Sequence, residues 1–360
     1  MRKSTLTVTR KSKYIGIFVS LLSTIVIANI PTLAQIPSIQ SECTEVKIKY
    51  HIQQLDKPET SNFEALVACQ SKSVPALINT LNNQDESIRI IAIAALGEIG
   101  INAKAAIPAL NATYKDKSIE VRVVTVDALG KIRKRAIPTL IVALQDEDEN
   151  VREIATNALV KIGKPALPAL IKALETGSWR SRLTAADVLG KMRSNAKKAV
   201  PAMIRTHGKY LTEESETCFA GFYYALENIG TDILPELNAA LKDNDWKVRV
   251  GAIASFKIIT NRSNVVTTLT KVFLDEKEDI RVRYTAVKAL QRQAVSVLKK
   301  YQKTADVIVQ KAEAINFEFP SCITAGTNSV AKVTASESSK QRPICRIRSI
   351  RALLWWKCPK

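Results

Sequence analysis

Short apolar stripes with helical spacing recur along most of this chain, each followed by polar residues and a second stripe. Within 137–144, apolar residues fall at positions i, i+3, i+4 and i+7, the pattern of one buried helix face. After a polar stretch, Val151, Ala155, Leu159 and Ile162 repeat the pattern. Each such unit is therefore predicted to be two helices joined by a tight turn.

Proline and glycine punctuate these units. Proline follows the first apolar residue of the first helix, where its missing N–H costs no intrahelical bond. Steps of 30 to 34 residues separate these prolines, which are Pro75, Pro108, Pro138, Pro168, Pro201 and Pro235. Gly100, Gly163 and Gly230 follow second helices, where a residue with positive φ ends a helix. A period of this length is typical of stacked supersecondary units.

The turn between the two helices carries a helix-capping residue and, four positions later, an arginine. The predicted caps, which accept hydrogen bonds from free helix N–H groups, are Asp85, Ser118, Asp148, Ser178, Ser215, Asp245 and Asp279. The arginines are Arg89, Arg122, Arg152, Arg182, Arg249 and Arg283, whereas the fifth unit has Phe219. Six residues before the arginine, aspartates recur as Asp116, Asp146 and Asp243. We interpret these columns as a structural ladder between repeats, with anion capture by stacked arginines as the alternative.

These residues resemble HEAT repeats, in particular the short HEAT-like type named after phycobilisome lyases. The resemblance rests on the proline, the aspartate, the Val-Arg or Ile-Arg pair and the Ala-Leu-Gly-Lys-Ile run at 128–132, and it covers seven units over residues 72–294. It implies an all-α fold, a right-handed superhelix of helical hairpins of the HEAT/armadillo kind. Its function is implied only broadly, because the family includes scaffolds, lyases and hydroxylases.

The N-terminal region indicates export. Residues 1–34 combine a basic start, an apolar run over 14–30 and a small-residue site that predicts cleavage between Ala34 and Gln35. An uncleaved anchor is the alternative, since the run is at the short limit for a membrane span. Residues 35–71 are predicted to form a helical cap, and in an oxidising compartment Cys43 and Cys69 are a candidate disulfide. The mature chain is expected in a periplasm or outside the cell.

The C-terminal region changes character after the last repeat. Residues 295–316 are predicted to form a helical cap, and residues 317–360 a flexible tail that becomes basic and aromatic. The tail is interpreted either as a segment without a selected role or as an anchor for an anionic membrane surface. Cys322, Cys345 and Cys358 are spaced too widely for a metal-binding motif, and Cys218 is interpreted as a buried thiol.

Charge narrows the class of partner. The formal charge is +19, but residues 1–34 hold five basic and no acidic residues, and residues 331–360 hold eight basic residues against Glu337. The repeats and caps therefore carry a moderate excess, which argues against nucleic acid, as does export. An acidic protein is the better candidate partner, with envelope polymers and anionic lipid as other candidates.

Catalytic chemistry is not indicated. The two histidines, His51 and His207, lack the His-Glu pairs of the di-iron hydroxylases that share the HEAT-like fold, and no phosphate loop or nucleophile motif appears. We therefore expect no cofactor and no metal. The alternative function is that of a phycobilin lyase, or a lyase-like chaperone of a chromophore.

A lysine row suggests a binding surface. Two positions after the leucine of the second helix, successive units carry Lys131, Lys161 and Lys191, about 10 Å apart if neighbouring helices pack at the usual distance. Trp179 and Trp246 directly follow predicted caps, and tryptophan beside basic residues is a common interface anchor. We hypothesise that the row engages an acidic partner, with Trp179 at its margin. The alternative is a solvated lysine face with tryptophans folded onto adjacent turns.

Overall fold

The computed structural model describes residues 43–57, 61–213, 220–230, 232–259 and 262–317. Within these ranges every regular element is helical. The α-helices are α1 (Glu45–Gln53), α2 (Ser61–Ala68), α3 (Val74–Thr80), α4 (Glu86–Ile99), α5 (Ile107–Thr113), α6 (Ile119–Ile132), α7 (Ile137–Ala143), α8 (Glu149–Ile162), α9 (Leu167–Thr176), α10 (Trp179–Lys191), α11 (Val200–Glu213), α12 (Ala220–Ile229), α13 (Leu234–Ala240), α14 (Trp246–Ser255), α15 (Arg262–Leu274), α16 (Ile280–Gln293), α17 (Val295–Lys300) and α18 (Gln302–Ala314).

The predicted capping pattern is confirmed wherever the turn is described. The side chains of Asp85, Ser118, Asp148, Ser178, Asp245 and Asp279 each accept a hydrogen bond from a backbone N–H in the first turn of the following helix. Ser215 lies outside the described residues. Because one cap is worth about 1 kcal/mol, the turn residues contribute to where each second helix begins.

Pairs of helices stack into an all-α solenoid. The second helices α4, α6, α8, α10 and α12 pack on one another in order, and the first helices α7, α9 and α11 form an adjoining layer. The buried apolar side chains form one continuous cluster from Ile48 to Ala312. Each repeat thus buries its apolar faces against its neighbours rather than in a core of its own.

The Ala-Leu-Gly motif explains how closely the second helices approach. A Cβ built on Gly97 would lie 2.9 Å from Ala128 Cα, and one built on Gly130 would lie 2.7 Å from Ala158 Cβ. The glycine of one repeat therefore faces the alanine of the same motif in the next repeat. A larger side chain at the glycine would force the two helices apart.

The stacking changes between the fifth and sixth units. Here the extensive contact is between α11 and α14, whereas α12 packs mainly on α10. Gly208 of α11 and Gly251 of α14 face each other, and a Cβ on Gly251 would lie 2.7 Å from the Gly208 nitrogen. Two facing glycines thus let these helix backbones approach closely, at the unit whose sequence departs from the repeat.

Segments with positive φ end several second helices, as the glycines predicted. Gly100, Gly163 and Gly230 have φ of 62°, 71° and 120°. At the equivalent position, Arg133 has φ 71° and ψ −133°, close to the Gly163 values of 71° and −138°. Short 3-10 helices then lead into the next repeat: Gln70–Lys72, Gly100–Ala106, Lys134–Ala136, Lys164–Ala166, Arg193–Ala199 and Phe256–Ile258.

The two ends of the described chain are closed differently. At the N-terminal end, Cys43 and Cys69 form a disulfide that ties the start of α1 to the end of α2. At the C-terminal end, Phe317, which the sequence assigned to the flexible tail, instead packs edge-on against Trp246 and Tyr284. The predicted signal segment, its cleavage site and residues 318–360 lie outside the described residues.

One helical run within the described ranges, Glu86–Thr113, is long and apolar enough to cross a membrane by length and composition. It consists of α4, a 3-10 segment and α5, with a change of direction at Gly100, where φ is 62°. In this structure both helices take part in the repeat stack.

Candidate functional site

The arginine–aspartate columns meet between repeats. Arg122 Nε lies 3.3 Å from Asp146 Oδ2 and Arg122 Nη2 lies 3.2 Å from Asp146 Oδ1, so the pair is bidentate. The Tyr114 hydroxyl donates to the same carboxylate at 2.9 Å, and the backbone N–H of Asp148 donates at 3.0 Å. Arg122 Nη1 also donates to two carbonyls of its own turn. This pair is nearly buried, with 9% and 6% of its side chains exposed.

The network sets the charge state of its members. Burial opposes the ionisation of Asp146, but the hydrogen bonds from Asp148, Arg122 and Tyr114 outweigh it and lower the pKa of the carboxyl group. Burial, with the bond to the carboxylate, raises the pKa of Tyr114, so its hydroxyl remains a donor. The charged pair therefore stays intact across the neutral range.

Other arginines of the ladder pair with an acidic side chain of the next repeat. Arg89 pairs with Asp116 at 3.1 Å, as the columns predict. Arg249 faces a repeat with lysine in the aspartate position, and it pairs instead with the adjacent Glu278 at 2.7 Å.

The remaining arginines have no acidic partner among the described residues. Arg152 donates only to two carbonyls of its own turn, because the next unit has Thr176 in the aspartate column. Arg182 lies over the Tyr210 ring at 5.3 Å, and Arg283 donates to the Phe273 carbonyl. Asp243 accepts from the Asp245 backbone, since the preceding unit has Phe219 instead of arginine.

The lysine row is largely neutralised by acidic neighbours. Lys131 Nζ lies 2.7 Å from Glu98 of the preceding repeat and 2.8 Å from Asp127, while Lys191 lies 2.8 Å from Asp187. Burial disfavours the Lys131 charge, but its hydrogen bonds to the two carboxylates outweigh this effect and raise its pKa. Asp127 and Asp187 stand four residues before their lysines, a spacing from which the helical pairs were predictable.

Lys161 differs from its two neighbours in the row. It is exposed and makes no ion pair within the described ranges. The row therefore presents one unpaired ammonium group rather than three.

The two tryptophans do not join this row. Trp179 begins α10 and Lys191 ends it, so the helix rise separates them by about 18 Å. Trp179 is 55% exposed, and the Arg180 guanidinium carbon lies 5.7 Å from its ring centroid. Trp246 is half-buried under Arg281, whose guanidinium carbon lies 3.6 Å from the ring centroid. The placement of Trp179 at the margin of the lysines is therefore wrong, and Trp246 packs onto its neighbours.

A buried histidine lies where the stacking changes. His207 of α11 is almost fully buried, stacked on Phe222 and edge-on to Tyr223. Its Nδ1 lies 3.4 Å from the Ser255 hydroxyl, and its Nε2 has no hydrogen-bond partner in the described part of the chain. Burial lowers the pKa of His207 to about 4, so the ring is neutral at physiological pH. Its place in the packed interface indicates a structural role.

A groove of 810 Å³ lies between α1 and α3, at the N-terminal end of the stack. Its lining includes Ile48, Ile88 and the amide side chains of Asn79 and Asn82, together with Cys43 of the disulfide. Charged groups also line the groove, on Glu45, Lys49 and Lys72. Among the described residues, no group of three or more His, Cys, Asp or Glu side chains could hold a metal ion.

Comparison with known proteins identifies the repeats. A family model for HEAT repeats matches residues 107–177 and 137–209. With the stacked helical pairs described above, this match identifies the repeats over residues 107–209 as HEAT repeats. The finer assignment to the type named after phycobilisome lyases stays a prediction. The comparison with curated proteins finds no match.

Solved structures with similarity to the chain are distant. A crystal structure of an engineered protein has 18% identity and a TM-score of 0.29, covering 59% of this chain and 95% of its own. A structure of Kap95p binding to RanGDP has 13% identity and a TM-score of 0.37, covering 81% of this chain and 43% of the matched one. The Escherichia coli protein YibA has 15% identity and a TM-score of 0.31, covering 81% of this chain and 100% of its own.

Proposed function

We propose that this chain is an exported HEAT-repeat scaffold that binds an acidic protein and carries no catalysis of its own. The observation that carries the proposal is the stack of helical hairpins, whose extended surface offers many contacts along its length. HEAT repeats suggest a protein-interaction scaffold in general terms. Export is supported by the basic and apolar pattern of residues 1–34.

The acidic character of the partner is inferred from charge. Without the predicted signal segment, which holds five basic and no acidic residues, the formal charge of +19 becomes +14, and Lys161 makes no ion pair within the described ranges. An excess of one sign of charge favours partners of the opposite sign and speeds their association. Such binding should weaken as the salt concentration rises, because salt screens exposed charges.

Affinity capture from the cell envelope tests this proposal. The chain from Gln35 onward would be used as bait at low and at high salt, and the proteins that elute with salt would be identified by mass spectrometry. The proposal expects acidic proteins in the salt eluate, and a mature N-terminus at Gln35 when the chain is expressed from Met1 and recovered from the cell envelope. Capture only of proteins without acidic character, or recovery of Met1 in the mature chain, would contradict it.

The same preparation separates the scaffold from a bilin lyase. The purified chain would be incubated with free bilin and with a bilin-accepting protein, and visible absorbance would be followed. A scaffold leaves the spectrum unchanged, whereas a stable shift of the bilin band would favour the lyase or chaperone.

A further inference from the structure

The turns that connect one repeat to the next are strongly basic. In the first five units these segments are 100–106, 133–136, 163–166 and 193–199, and together they hold eight basic residues and no acidic residue. The basic residues are Lys104, Arg133, Lys134, Arg135, Lys164, Arg193, Lys197 and Lys198. We call this set the basic edge.

The turns within the same repeats lie at the other end of the second helices, about 20 Å away by helix rise. The corresponding segments 81–85, 114–118, 144–148 and 177–178 hold five acidic and two basic residues. The two edges of the solenoid therefore differ in sign, and positive potential is concentrated on one of them.

Most of the basic edge has no internal counter-charge. Lys197 lies 2.8 Å from Asp232, but the other seven cations make no ion pair among the described residues and are exposed. The nearby carboxylates of Glu98, Asp127 and Asp187 are already paired with Lys131 and Lys191. The edge thus presents guanidinium and ammonium groups that are available to a ligand.

Two arginines of this edge adopt a backbone conformation that favours glycine. Arg133 has φ 71° and ψ −133°, and Arg193 has φ 54°, where the neighbouring repeats have Gly100 and Gly163. Glycine tolerates this conformation and would relieve the strain. The Arg133 side chain makes no hydrogen bond or ion pair within the described ranges, so the protein would lose no internal contact by this replacement. Gln70 has the same positive φ, at 51°, so the conformation belongs to the repeat, and what distinguishes Arg133 and Arg193 is that they place a cation there. Non-glycine residues held in this backbone region are candidates for a functional role.

We propose that the basic edge binds an extended acidic segment of a protein partner, with Arg133 and Arg193 as its anchoring side chains. This inference rests on the proposed scaffold function and names the site and the partner's chemistry. With repeats about 10 Å apart, the four turns span roughly 30 Å, which an extended chain of about ten residues covers. Arginine is suited to this role, because its planar fork pairs with carboxylates in a bidentate way.

A protein segment fits this edge better than a membrane surface. Interfacial membrane binding requires apolar side chains that insert below the headgroups. Among the described residues of these turns, Ile101 is the one large apolar side chain exposed, and Trp179 lies at the opposite edge. Binding here is therefore expected to be electrostatic and sensitive to salt.

The test uses a fluorescein-labelled oligoglutamate of about ten residues, the length that matches the edge, and measures anisotropy with the full mature chain. The double variant Arg133→Gly, Arg193→Gly should weaken peptide binding about fivefold, the effect of losing two exposed ion pairs. The same variant should unfold at a higher urea concentration, because glycine relieves the strain. Opposite changes in affinity and stability are the distinctive result.

Two control variants separate charge from fold. Lys115→Gln with Lys172→Gln removes the same charge outside the basic edge, and it should change affinity less than twofold, as expected for distant exposed charges. Arg133→Lys with Arg193→Lys keeps both charges but loses the bidentate fork, so its affinity should lie between those of the wild type and the glycine variant. If the glycine variant binds the peptide as tightly as the wild type, or no more weakly than the Lys115 and Lys172 control, the proposal is overturned.

Parallel titrations identify the class of ligand. Vesicles containing phosphatidylserine and a short DNA duplex would be compared with the peptide at the same salt concentration. Tighter, arginine-dependent binding to either of them would overturn the acidic-protein assignment. If the glycine variant captures the same envelope proteins as the wild type, the basic edge is not the binding site, but the scaffold function stands. If the peptide binds through the arginines but no envelope protein is captured, the basic edge is a binding site and the scaffold function is contradicted.

Discussion

Removing the Asp146 carboxylate tests whether the buried rung of the ladder stabilises the stack. In Asp146→Ala, the Arg122 side chain, 9% exposed, loses its bidentate partner, and the Tyr114 hydroxyl loses its acceptor. Removing one partner of a buried ion pair typically costs roughly 3–5 kcal/mol, because the other partner is left as an uncompensated buried charge. Arg122 keeps the two turn carbonyls and the exposed Glu147 carboxylate, 3.4 Å from its Nη2, so we expect the lower end, about 3 kcal/mol.

Asp116→Ala provides the matched control. Asp116 pairs with Arg89 one repeat earlier, but the side chains there are 22% and 16% exposed. Because water can solvate this arginine, the expected loss is about 1 kcal/mol. Urea unfolding followed by far-UV circular dichroism would measure both variants, with tryptophan fluorescence as a second probe, since repeat stacks can unfold in parts. Equal losses in the two variants would refute the argument that burial gives the Asp146 pair its strength.

The same pair predicts a pH dependence. Because the pKa of Asp146 is lowered in the folded state, its contribution is fully present above the ordinary carboxyl pKa of about 4. The contribution is lost as pH falls through the lowered pKa. The stability difference between wild type and Asp146→Ala should therefore be constant from neutral pH down to about 5 and narrow in stronger acid.

Three further predictions concern the interfaces. Burial lowers the pKa of His207 to about 4, whereas its value in the unfolded chain is about 6.5. Because the unfolded chain takes up the proton first, the free energy of unfolding of the wild type should fall by about 2 kcal/mol between pH 7 and 5. His207→Leu should lack this decrease, and an equal decrease in the variant would contradict a buried neutral histidine. Gly208→Ala places a methyl group against the Lys247 backbone carbonyl and should cost at least about 2 kcal/mol in urea unfolding, while no change would mean that α11 and α14 are not in close contact. Replacing Cys43 and Cys69 by serine opens a link across 26 residues and should cost about 3 kcal/mol, with an unchanged midpoint counting against the disulfide.

The local features of the fold were predictable from the sequence. The caps at Asp85, Asp148 and Asp279 are made with N–H groups two or three residues away, so a short stretch of sequence carries the whole interaction. The spacing of apolar residues likewise identifies each helix and its buried face. The period of the prolines then indicates the solenoid, because a single helical pair has no core of its own.

Where the arginine–aspartate columns are interrupted, the tertiary structure decided the partner of the side chain. Arg249 pairs with Glu278, one position beyond the predicted column, because the side chain reaches whichever carboxylate the neighbouring turn presents. The Arg182 guanidinium lies over the Tyr210 ring, a contact that no column of the repeat announces.

The character of the candidate surface also depended on contacts between repeats. Lys131 is paired with Glu98 across 33 residues, and Trp246 is covered by Arg281 of a later helix, so neither is the free group that the pattern suggested. Trp179 and Lys191 lie in the same helix, but at its opposite ends, so the length of the helix separates them. Sequence by itself therefore determined the helices, their caps and their stacking, since these depend on nearby residues and on a regular period. Only the tertiary structure decided which charges remain unpaired, because that depends on side chains brought together from distant parts of the chain.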